Sequence, residues 1–430
     1  MKTYSFPQGG ISFDDPAAPS KDDCVTAFLP GISIIPLIQH TGSRADPVVS
    51  VGDHVSEGML VGRGQGPLSA NIHATVPGKV IRVVSWKMAD GQTNDALVIR
   101  MEGAFERLGK REELFPWENL PPVEIQQLIA DFGIVEMEGS GRPVSDMFYA
   151  LRSDREPLTL VARCVFDDPW LAGDYVLCRD RLKAVVEGSM IAARAGGAKH
   201  IVFAVSHGEK DLGLELLAEA ETWKTPVSMV LVSSRYPQRN QRELELVLRM
   251  YGKKESLELG TLMILGPATL AAIHDAVKLK KPILDRYVAV GGSAVRKAQV
   301  MKVRIGTRIG DVFAECGGFV DNPRRIATGS PFLGRTVVDL DEPVIKTSYA
   351  VFAILGGQTG VTVSRSCIRC GECRTVCPVG LDPEELYKQA NAAADCPRAV
   401  ECHACGCCEI VCPSHLPLSA VIAASAGRGD

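Results

Sequence analysis

Short β-branched runs broken by turn-forming pairs fill the first quarter of the chain. Between residues 47 and 84 (PVVSVGDHVSEGMLVGRGQGPLSANIHATVPGKVIRVV), Gly-Asp, Glu-Gly and Pro-Gly pairs interrupt the runs. β-Branched residues favour strands, and such pairs favour turns. The pattern predicts a small, turn-rich β domain. One further strand at 96–101 and a charged surface connection up to residue 122 are expected to follow.

From residue 123 to about 284 the spacing of the apolar positions changes. Helical patterns alternate there with short apolar runs, in the order EIQQLIADFG, LTLVARCVF, RLKAVVEGSMIAARAGGA, HIVFAVS, GLELLAEAETW and VSMVLVS. This alternation predicts an α/β domain with a largely parallel sheet, which binds ligands beyond the carboxyl ends of its strands. The Gly-Gly pair at 196–197 is expected to cap the long helix rather than to form a phosphate loop. Residues 286–344 then return to β character with many glycines, which predicts a second small β-rich module.

The bulk composition narrows the possible functions. A chain of 430 residues exceeds the size of a single core, so two to four domains are expected. A net charge of −4 without a long Lys/Arg run argues against nucleic acid as the partner. No apolar stretch approaches the roughly 18 residues that span a bilayer, and the N-terminus lacks a signal-peptide pattern. We therefore expect a chain that is neither exported nor transmembrane by itself.

Ten of the fourteen cysteines fall between Cys367 and Cys412. Such crowding points to metal rather than to disulfides. The other four, which are expected to be buried free thiols, are Cys24, Cys164, Cys178 and Cys316.

The crowded cysteines form two runs with the spacing of bacterial ferredoxins. Each run reads C-x2-C-x2-C-x3-C-P, and the fourth cysteine of such a run binds the other cluster. The expected ligands of the first [4Fe-4S] cluster are therefore Cys367, Cys370, Cys373 and Cys412. Those of the second are Cys402, Cys405, Cys408 and Cys377. A zinc site would use paired knuckles separated by a longer loop, which fits neither the third cysteine nor the Cys-Pro ending.

Two further cysteines lie inside this region. Choosing Cys407 as a ligand would break the spacing of the repeat, so we interpret it as a bystander, and Cys396 stands outside both runs. Between the runs, Asp382 is a predicted N-cap and Pro383 the first residue of a helix that joins the two cluster loops.

Two resemblances extend this picture. The turn pattern at 47–84 is similar to that of barrel-sandwich domains that carry biotin or lipoyl groups on a lysine. The matching stretch GPLSANIHA has no lysine, so we expect a scaffold, in which His73 is a surface or packed residue. Over nearly its whole length the chain resembles the C subunit of the Rnf complex, a membrane-bound ferredoxin:NAD oxidoreductase that couples electron flow to ion pumping. The motifs that carry this resemblance are FPQGGI, RYPQRNQREL, GPATLAAIHDAV, VRIGT, ECGGF, the two cysteine runs and PSHLPL.

The Rnf resemblance implies a multidomain fold of mixed α/β and β parts. The expected parts are an N-terminal region with a barrel-sandwich hybrid domain (1–100), an α/β domain resembling the flavoprotein of respiratory complex I (120–284), a β-grasp module (285–345) and an α-helical two-cluster ferredoxin domain (355–425). It also implies a peripheral subunit on the cytoplasmic face of the inner membrane. Its expected partners are membrane-embedded subunits and a ferredoxin or ferredoxin-type subunit. Its expected cofactors are two [4Fe-4S] clusters, and the binding of FMN and NADH is possible but doubtful.

One departure makes the nucleotide site doubtful. Family members have a glycine-rich turn of the form GIVGLGGAxFPT, whereas this chain reads GIVEMEGSGRPV at 133–144, with Glu136 and Glu138 in place of two glycines. Their charge should repel a phosphate. If a nucleotide still binds, the positions to examine first are Gly139, Gly141 and Asp168. Arg142 and Arg163 are also new and could bind an anion, but we interpret both as solvated.

Three functional hypotheses follow. The leading one is an electron-conducting subunit of a membrane-bound, ion-translocating oxidoreductase. The alternative is a soluble iron-sulfur flavoprotein or reductase-associated adaptor that delivers electrons to an enzyme. In a third, non-redox hypothesis the clusters are structural and the β modules bind a partner.

Overall fold

The computed structural model describes residues 2–87, 93–105, 115–151, 156–332, 334–356, 364–392 and 396–426. Part of the predicted surface connection, 106–114, and the residues 393–395 after the linking helix lie outside the described residues.

The strands and helices are numbered along the chain. The strands are β1 (Thr3–Tyr4), β2 (Cys24–Thr26), β3 (Ile32–Pro36), β4 (Asp46–Pro47), β5 (His54–Val55), β6 (Leu60–Arg63), β7 (Ile72–His73), β8 (Gly78–Lys87), β9 (Thr93–Met101), β10 (Leu158–Cys164), β11 (His200–Ser206), β12 (Val227–Val232), β13 (Thr261–Leu265), β14 (Asp285–Gly291), β15 (Gln299–Arg304), β16 (Pro323–Thr328), β17 (Arg335–Thr336) and β18 (Ala350–Leu355). The helices are α1 (Pro122–Asp131), α2 (Val144–Leu151), α3 (Ala172–Asp180), α4 (Leu182–Gly196), α5 (Lys210–Ala220), α6 (Gln241–Glu255), α7 (Pro267–Lys278), α8 (Ile309–Glu315), α9 (Glu372–Thr375), α10 (Pro383–Asn391), α11 (Cys407–Ile410) and α12 (Leu418–Ala426).

Two small sheets form the predicted barrel-sandwich domain. One has the order β3-β9-β8-β5 and the other β4-β6-β7. Inward residues of both, such as Ile35, Val61, Ile72 and Leu97, are fully buried and share one core. Alternation of buried and polar positions is what a strand with one buried face requires. His73, in β7, is packed rather than at the surface.

The α/β domain contains the predicted parallel sheet, in the order β1-β12-β11-β10-β13. All its neighbouring strands are parallel, with Leu160 of β10 opposite Ile201 of β11. Alternate strand residues face two different cores, one against α4 and α7 and the other against α6. Burial on both faces explains the nearly continuous apolar runs in the sequence. Gly197 caps α4 in the left-handed conformation, with φ +73°, as predicted.

The β-rich module forms a mixed sheet in the order β17-β16-β18-β14-β15-β2. Helix α8 packs its Val312 and Phe313 into the core of this sheet. Strand β2 comes from the N-terminal region, and β1 from the same region joins the α/β sheet. The first 30 residues therefore connect the other modules rather than belonging to the barrel-sandwich sheets.

The C-terminal region consists of short helices around the cysteine runs. Asp382 accepts a hydrogen bond from the Glu385 N–H at 3.2 Å and so caps α10, as the sequence predicted. Of the four isolated cysteines, Cys164, Cys178 and Cys316 are buried, Cys24 is half-buried, and all are free thiols. Across the described segments, no helix combines the length and apolar character needed to cross a bilayer.

Candidate functional site

The two cysteine runs adopt the same backbone conformation. Arg369 and Ala404, each two residues after the first cysteine of its run, are left-handed, with φ +56° and +49°. Each N–H donates a hydrogen bond of 3.4 Å to the sulfur of that first cysteine. Gly371 and Gly406 are also left-handed, with φ +81° and +80°, and each precedes a four-residue helix, α9 or α11. The sequence repeat is therefore a structural repeat.

The four cysteines predicted to bind the first cluster surround one space. Cys367, Cys370 and Cys373 from the first run and Cys412 from the second line a cavity of about 400 Å³. The remaining wall is largely apolar and includes Tyr387, Leu416 and Leu418. The fourth cysteine of the second run has thus crossed to the first run.

The four cysteines predicted to bind the second cluster also lie together. Burial raises the pKa of Cys402, and the neighbouring Cys405 and Cys377 raise it further. The pKa of Cys408 is raised by burial and then by the same neighbours together with Cys402. Cys377 belongs to the first run, so the exchange of fourth cysteines is reciprocal. Its sulfur accepts a hydrogen bond from the Leu381 N–H at 3.3 Å.

This arrangement suits a cube of iron and sulfide better than a single ion. Among the residues described, no three His, Cys, Asp or Glu side chains converge closely enough to hold one metal ion. A zinc ion needs its ligands to converge on one atom, whereas each thiolate around a [4Fe-4S] cluster binds a different iron. The four thiols around one cavity offer one ligand for each iron and therefore fit a cluster.

The two extra cysteines occupy other positions. Cys407 takes the place that Glu372 has in the first run, and it is fully buried beside Tyr236. It hydrogen-bonds to Cys405 and thereby lowers the pKa of that thiol. The Cys396 thiol points to the Leu386 carbonyl oxygen, at 3.7 Å.

Two motifs to which the sequence pattern assigns no role hold the loops that carry the second set of cysteines. The Gly10 N–H of FPQGGI donates to the Val376 carbonyl at 2.8 Å, and a side chain on Gly9, with φ +66°, would collide with the Cys377 carbonyl. The Tyr236 hydroxyl of RYPQRN donates to the Cys405 carbonyl at 2.8 Å. The His403 ring also contacts the Glu243 carboxylate of α6.

The two sets of cysteines differ in exposure. In the first set Cys367 and Cys370 are exposed, Cys412 is half-buried and Cys373 is buried; in the second set Cys402 is half-buried and Cys377, Cys405 and Cys408 are buried. The first set therefore faces outward, and the second faces the α/β domain.

A second candidate site is a cleft that runs along the edge strand β13 to Arg163 near the carboxyl end of β10, where the α/β domain meets the β-rich module. This cleft has a volume of about 740 Å³ and is lined by charged side chains, which include Glu136, Glu138, Arg163, Arg239 and Arg335. The end of the cleft at Arg163 lies where parallel sheets bind ligands.

Glu136 is bound by the groups around it. Its Oε1 accepts from Arg163 Nη2 at 2.8 Å, and its Oε2 accepts from the Ser140 N–H at 2.5 Å. Burial alone would raise the pKa of Glu136. The neighbouring Arg163, Arg239 and Ser140 nevertheless hold this pKa below its usual value. Arg163 is consequently a buried residue of β10 with an ionic partner, so its interpretation as solvated was wrong. Arg142 is half-exposed and pairs with Asp146 at 2.6 Å.

Glu138 lies at the N-terminus of α7. Its Oε1 accepts from the Thr269 N–H at 3.0 Å, and its Oε2 accepts from the Thr269 hydroxyl at 2.5 Å. Burial raises the pKa of Glu138, and the nearby Asp174 and Glu136 raise it further. A Cβ atom at Gly266 would lie 2.5 Å from Oε1 of this carboxylate, so the Glu138 side chain would have to shift if residue 266 carried a side chain.

The three positions predicted for a nucleotide site are not equivalent. Gly139 lines the cleft. Gly141, with φ +66°, packs its backbone against Thr41. Asp168 is buried and caps a short helix by accepting from the Trp170 N–H at 2.9 Å. The preceding Asp167 accepts from the Arg239 N–H at 2.8 Å, and burial raises its pKa to about 7.

Three segments of the chain match known domain families. Residues 5–104 match the RnfC barrel sandwich hybrid domain, 129–274 the Nuo51 FMN-binding domain and 287–338 the SLBB domain. The C subunit of the ion-translocating oxidoreductase complex of Rhodobacter capsulatus is 33% identical, over 87% of this chain and 72% of the relative. This chain belongs to the C-subunit family of Rnf complexes.

Other members are more distant in sequence but match over similar lengths. The C subunit of the proton-translocating ferredoxin:NAD(+) oxidoreductase complex of Clostridium ljungdahlii is 28% identical, over 89% of this Rnf C-family chain and 86% of the relative. Among solved structures, a chain of an NAD+-reducing [NiFe]-hydrogenase superposes with a TM-score of 0.51 at 16% identity. The match covers 73% of this chain and 60% of that one, and it supports the fold.

Proposed function

We propose that this chain is the peripheral electron-transfer subunit of a membrane-bound complex that couples ferredoxin/NAD electron transfer to ion translocation. It relays electrons through two [4Fe-4S] clusters. The observation that carries the proposal is the reciprocal exchange of Cys412 and Cys377 between two loops of equal conformation. Membership of the Rnf C-subunit family supplies the context, because its members are named as subunits of ion-translocating oxidoreductases.

The residues fix the position and the potential of each cluster. Cys367, Cys370, Cys373 and Cys412 would hold the first, and Cys402, Cys405, Cys408 and Cys377 the second. Bound clusters supply one-electron redox chemistry, and hydrogen bonds to sulfur and solvent exposure tune their potentials. The N–H donors of Arg369, Ala404 and Leu381 stabilise negative charge on the ligand sulfurs.

The exposed first set marks the side at which an electron partner docks. Ile368 is 67% exposed between Cys367 and Cys370. Three exposed arginines lie in residues 364–374, namely Arg365, Arg369 and Arg374; Arg374 pairs with Asp382 and Glu384, and Arg369 lies 3.9 Å from Glu384. An exposed apolar residue beside exposed arginines fits an acidic partner, such as a ferredoxin or a ferredoxin-type subunit on the cytoplasmic face of the inner membrane. The second set, which faces the body of the chain, is the inner relay.

Ligand exchange between the runs gives a sharp test. We expect the anaerobically reconstituted chain to hold about eight irons, and Cys412→Ser to lose the first cluster and Cys377→Ser the second. Electron paramagnetic resonance of the reduced variants distinguishes the clusters. Cys396→Ser is the matched control and keeps both. If Cys412→Ser instead disturbed the cluster of Cys402, Cys405 and Cys408, the crosswise assignment would be wrong.

A further inference from the structure

We propose that this chain excludes FMN and other nucleotides from the α/β cleft, because its own carboxylates take the donors of the α7 N-terminus and of the 135–141 turn, two places that could otherwise bind a phosphate. The matched model is named for FMN binding, so the residues of this chain disagree with the cofactor that the domain implies. The exclusion is independent of the cysteine clusters.

The first occupied position is the N-terminus of α7. A helix N-terminus offers unpaired N–H groups and a positive dipole end, which favour an anion. Here the Thr269 N–H and hydroxyl both donate to Glu138. The absence of a side chain at Gly266 leaves the space that the Glu138 carboxylate fills.

The second occupied position is the 135–141 turn. Glycine-rich turns bind phosphate through backbone N–H groups that face the ligand. In this chain the Ser140 N–H donates to Glu136, a residue of the same turn, and the Ser140 hydroxyl donates to the same oxygen at 3.1 Å. The Ser140 N–H is therefore already hydrogen-bonded within the turn and does not face a ligand.

Two of the cationic side chains that line the cleft are also engaged. Arg163 binds Glu136, and Arg239 donates to the Glu138 carbonyl oxygen. A phosphate would have to displace a buried ion pair and approach two carboxylates, and unpairing buried charges is costly. The cleft has ample volume, so its donors rather than its size exclude the nucleotide.

This exclusion has a consequence for electron flow, which rests on the proposed function. Without a flavin, this chain has no group that splits a hydride into single electrons. Both the entry and the exit of electrons then run through protein partners.

The test is FMN titration of the full-length, cluster-loaded chain by quenching of flavin fluorescence. We expect the wild type to show no saturable binding and no flavin after purification. The double substitution Glu136→Gly and Glu138→Gly should bind FMN at least about tenfold more tightly. The matched control, Glu136→Gln with Glu138→Gln, still fills both positions and should behave as the wild type.

Circular dichroism and iron content verify that each variant is folded. Stoichiometric FMN in the wild type would overturn the proposal. So would a folded glycine variant that binds no more tightly than the wild type, or a glutamine variant that binds as the glycine variant does. Iron content is measured separately from flavin binding. A flavin result that contradicts this inference therefore leaves the cluster assignment intact, and a low iron content leaves the inference about the cleft intact.

Discussion

The cysteine domain and the α/β cleft are both regions in which the fold gathers donors around a space, but they use those donors differently. In the first cysteine set, side chains from two loops line one cavity. In the cleft, the Thr269 and Ser140 donors are taken by Glu138 and Glu136 of the same chain. A fold provides a place for a cofactor, and the pairing of its donors decides whether the place is used.

Removing the partner of Glu136 should give the largest effect. Arg163→Ala leaves a buried carboxylate without its counterion, which costs about 3–5 kcal/mol of unfolding free energy. Urea denaturation of the cluster-loaded chain measures this loss. Arg142→Ala, at a half-exposed pair, is the control and should cost less than about 1 kcal/mol. If both variants lost the same unfolding free energy, the ion pair of Arg163 and Glu136 would contribute no more to stability than a half-exposed pair.

Adding one methyl group at the cluster loop should have the next largest effect. Gly9→Ala combines a left-handed backbone with a collision against Cys377, and should cost about 2–4 kcal/mol. Iron content and thermal unfolding should fall together. Gly66→Ala, with φ +79° and open space around it, carries only the backbone strain of about 1–2 kcal/mol. A full complement of iron in Gly9→Ala would show that the N-terminal motif does not hold the loop.

Asp167, which accepts a hydrogen bond from the Arg239 N–H, should make the stability of the chain depend on pH. Burial raises the pKa of Asp167 to about 7, so the folded state binds a proton that the unfolded state has already released. The protonated Asp167 therefore contributes stability to the folded state at low pH, and this contribution is lost as the pH rises from about 4 to about 7. Asp167→Asn should remove this loss and be more stable than the wild type at pH 8, by about 1–3 kcal/mol.

Denaturation at pH 5 and pH 8 measures the difference. Asp211→Asn, at an exposed helix position, should leave the pH dependence as it is in the wild type. An Asp167→Asn curve parallel to that of the wild type between these pH values would contradict the assignment.

The smallest expected effect is at the contact between the two regions. Tyr236→Phe removes the hydrogen bond to the Cys405 carbonyl and should cost about 1 kcal/mol. It should also shift the potential of the second cluster and leave that of the first unchanged. Redox titration followed by electron paramagnetic resonance separates the two. A shift of the first cluster alone would contradict the placement of Tyr236 beside the second.

Local patterns in the sequence predicted most of the fold. Alternating helices and apolar runs indicated the parallel sheet, and cysteine spacing predicted the two sets that the fold brings together. Asp382 and Gly197 act as the caps that their residue types indicated. These features depend on neighbours along the chain, so they can be predicted from spacing.

Long-range contacts could not be predicted in this way. Nothing in residues 1–30 indicates that β1 and β2 join two different sheets. Glu138 predicts repulsion of a phosphate, but its placement on the α7 N-terminus depends on Thr269, 131 residues away. Arg163 belongs to an apolar strand, where a buried arginine is a better expectation than a solvated one. The Gly9-Gly10 pair was the sequence feature that could have indicated a close backbone contact, which Gly9 makes with Cys377.

The most direct test of the central claim is reduction of the anaerobic, cluster-loaded chain by two donors with FMN added. We predict bleaching of the cluster absorbance by dithionite-reduced ferredoxin and none by NADH, with about eight irons per chain. Rapid bleaching by NADH would contradict the claim, because it would require a working nucleotide site in the cleft.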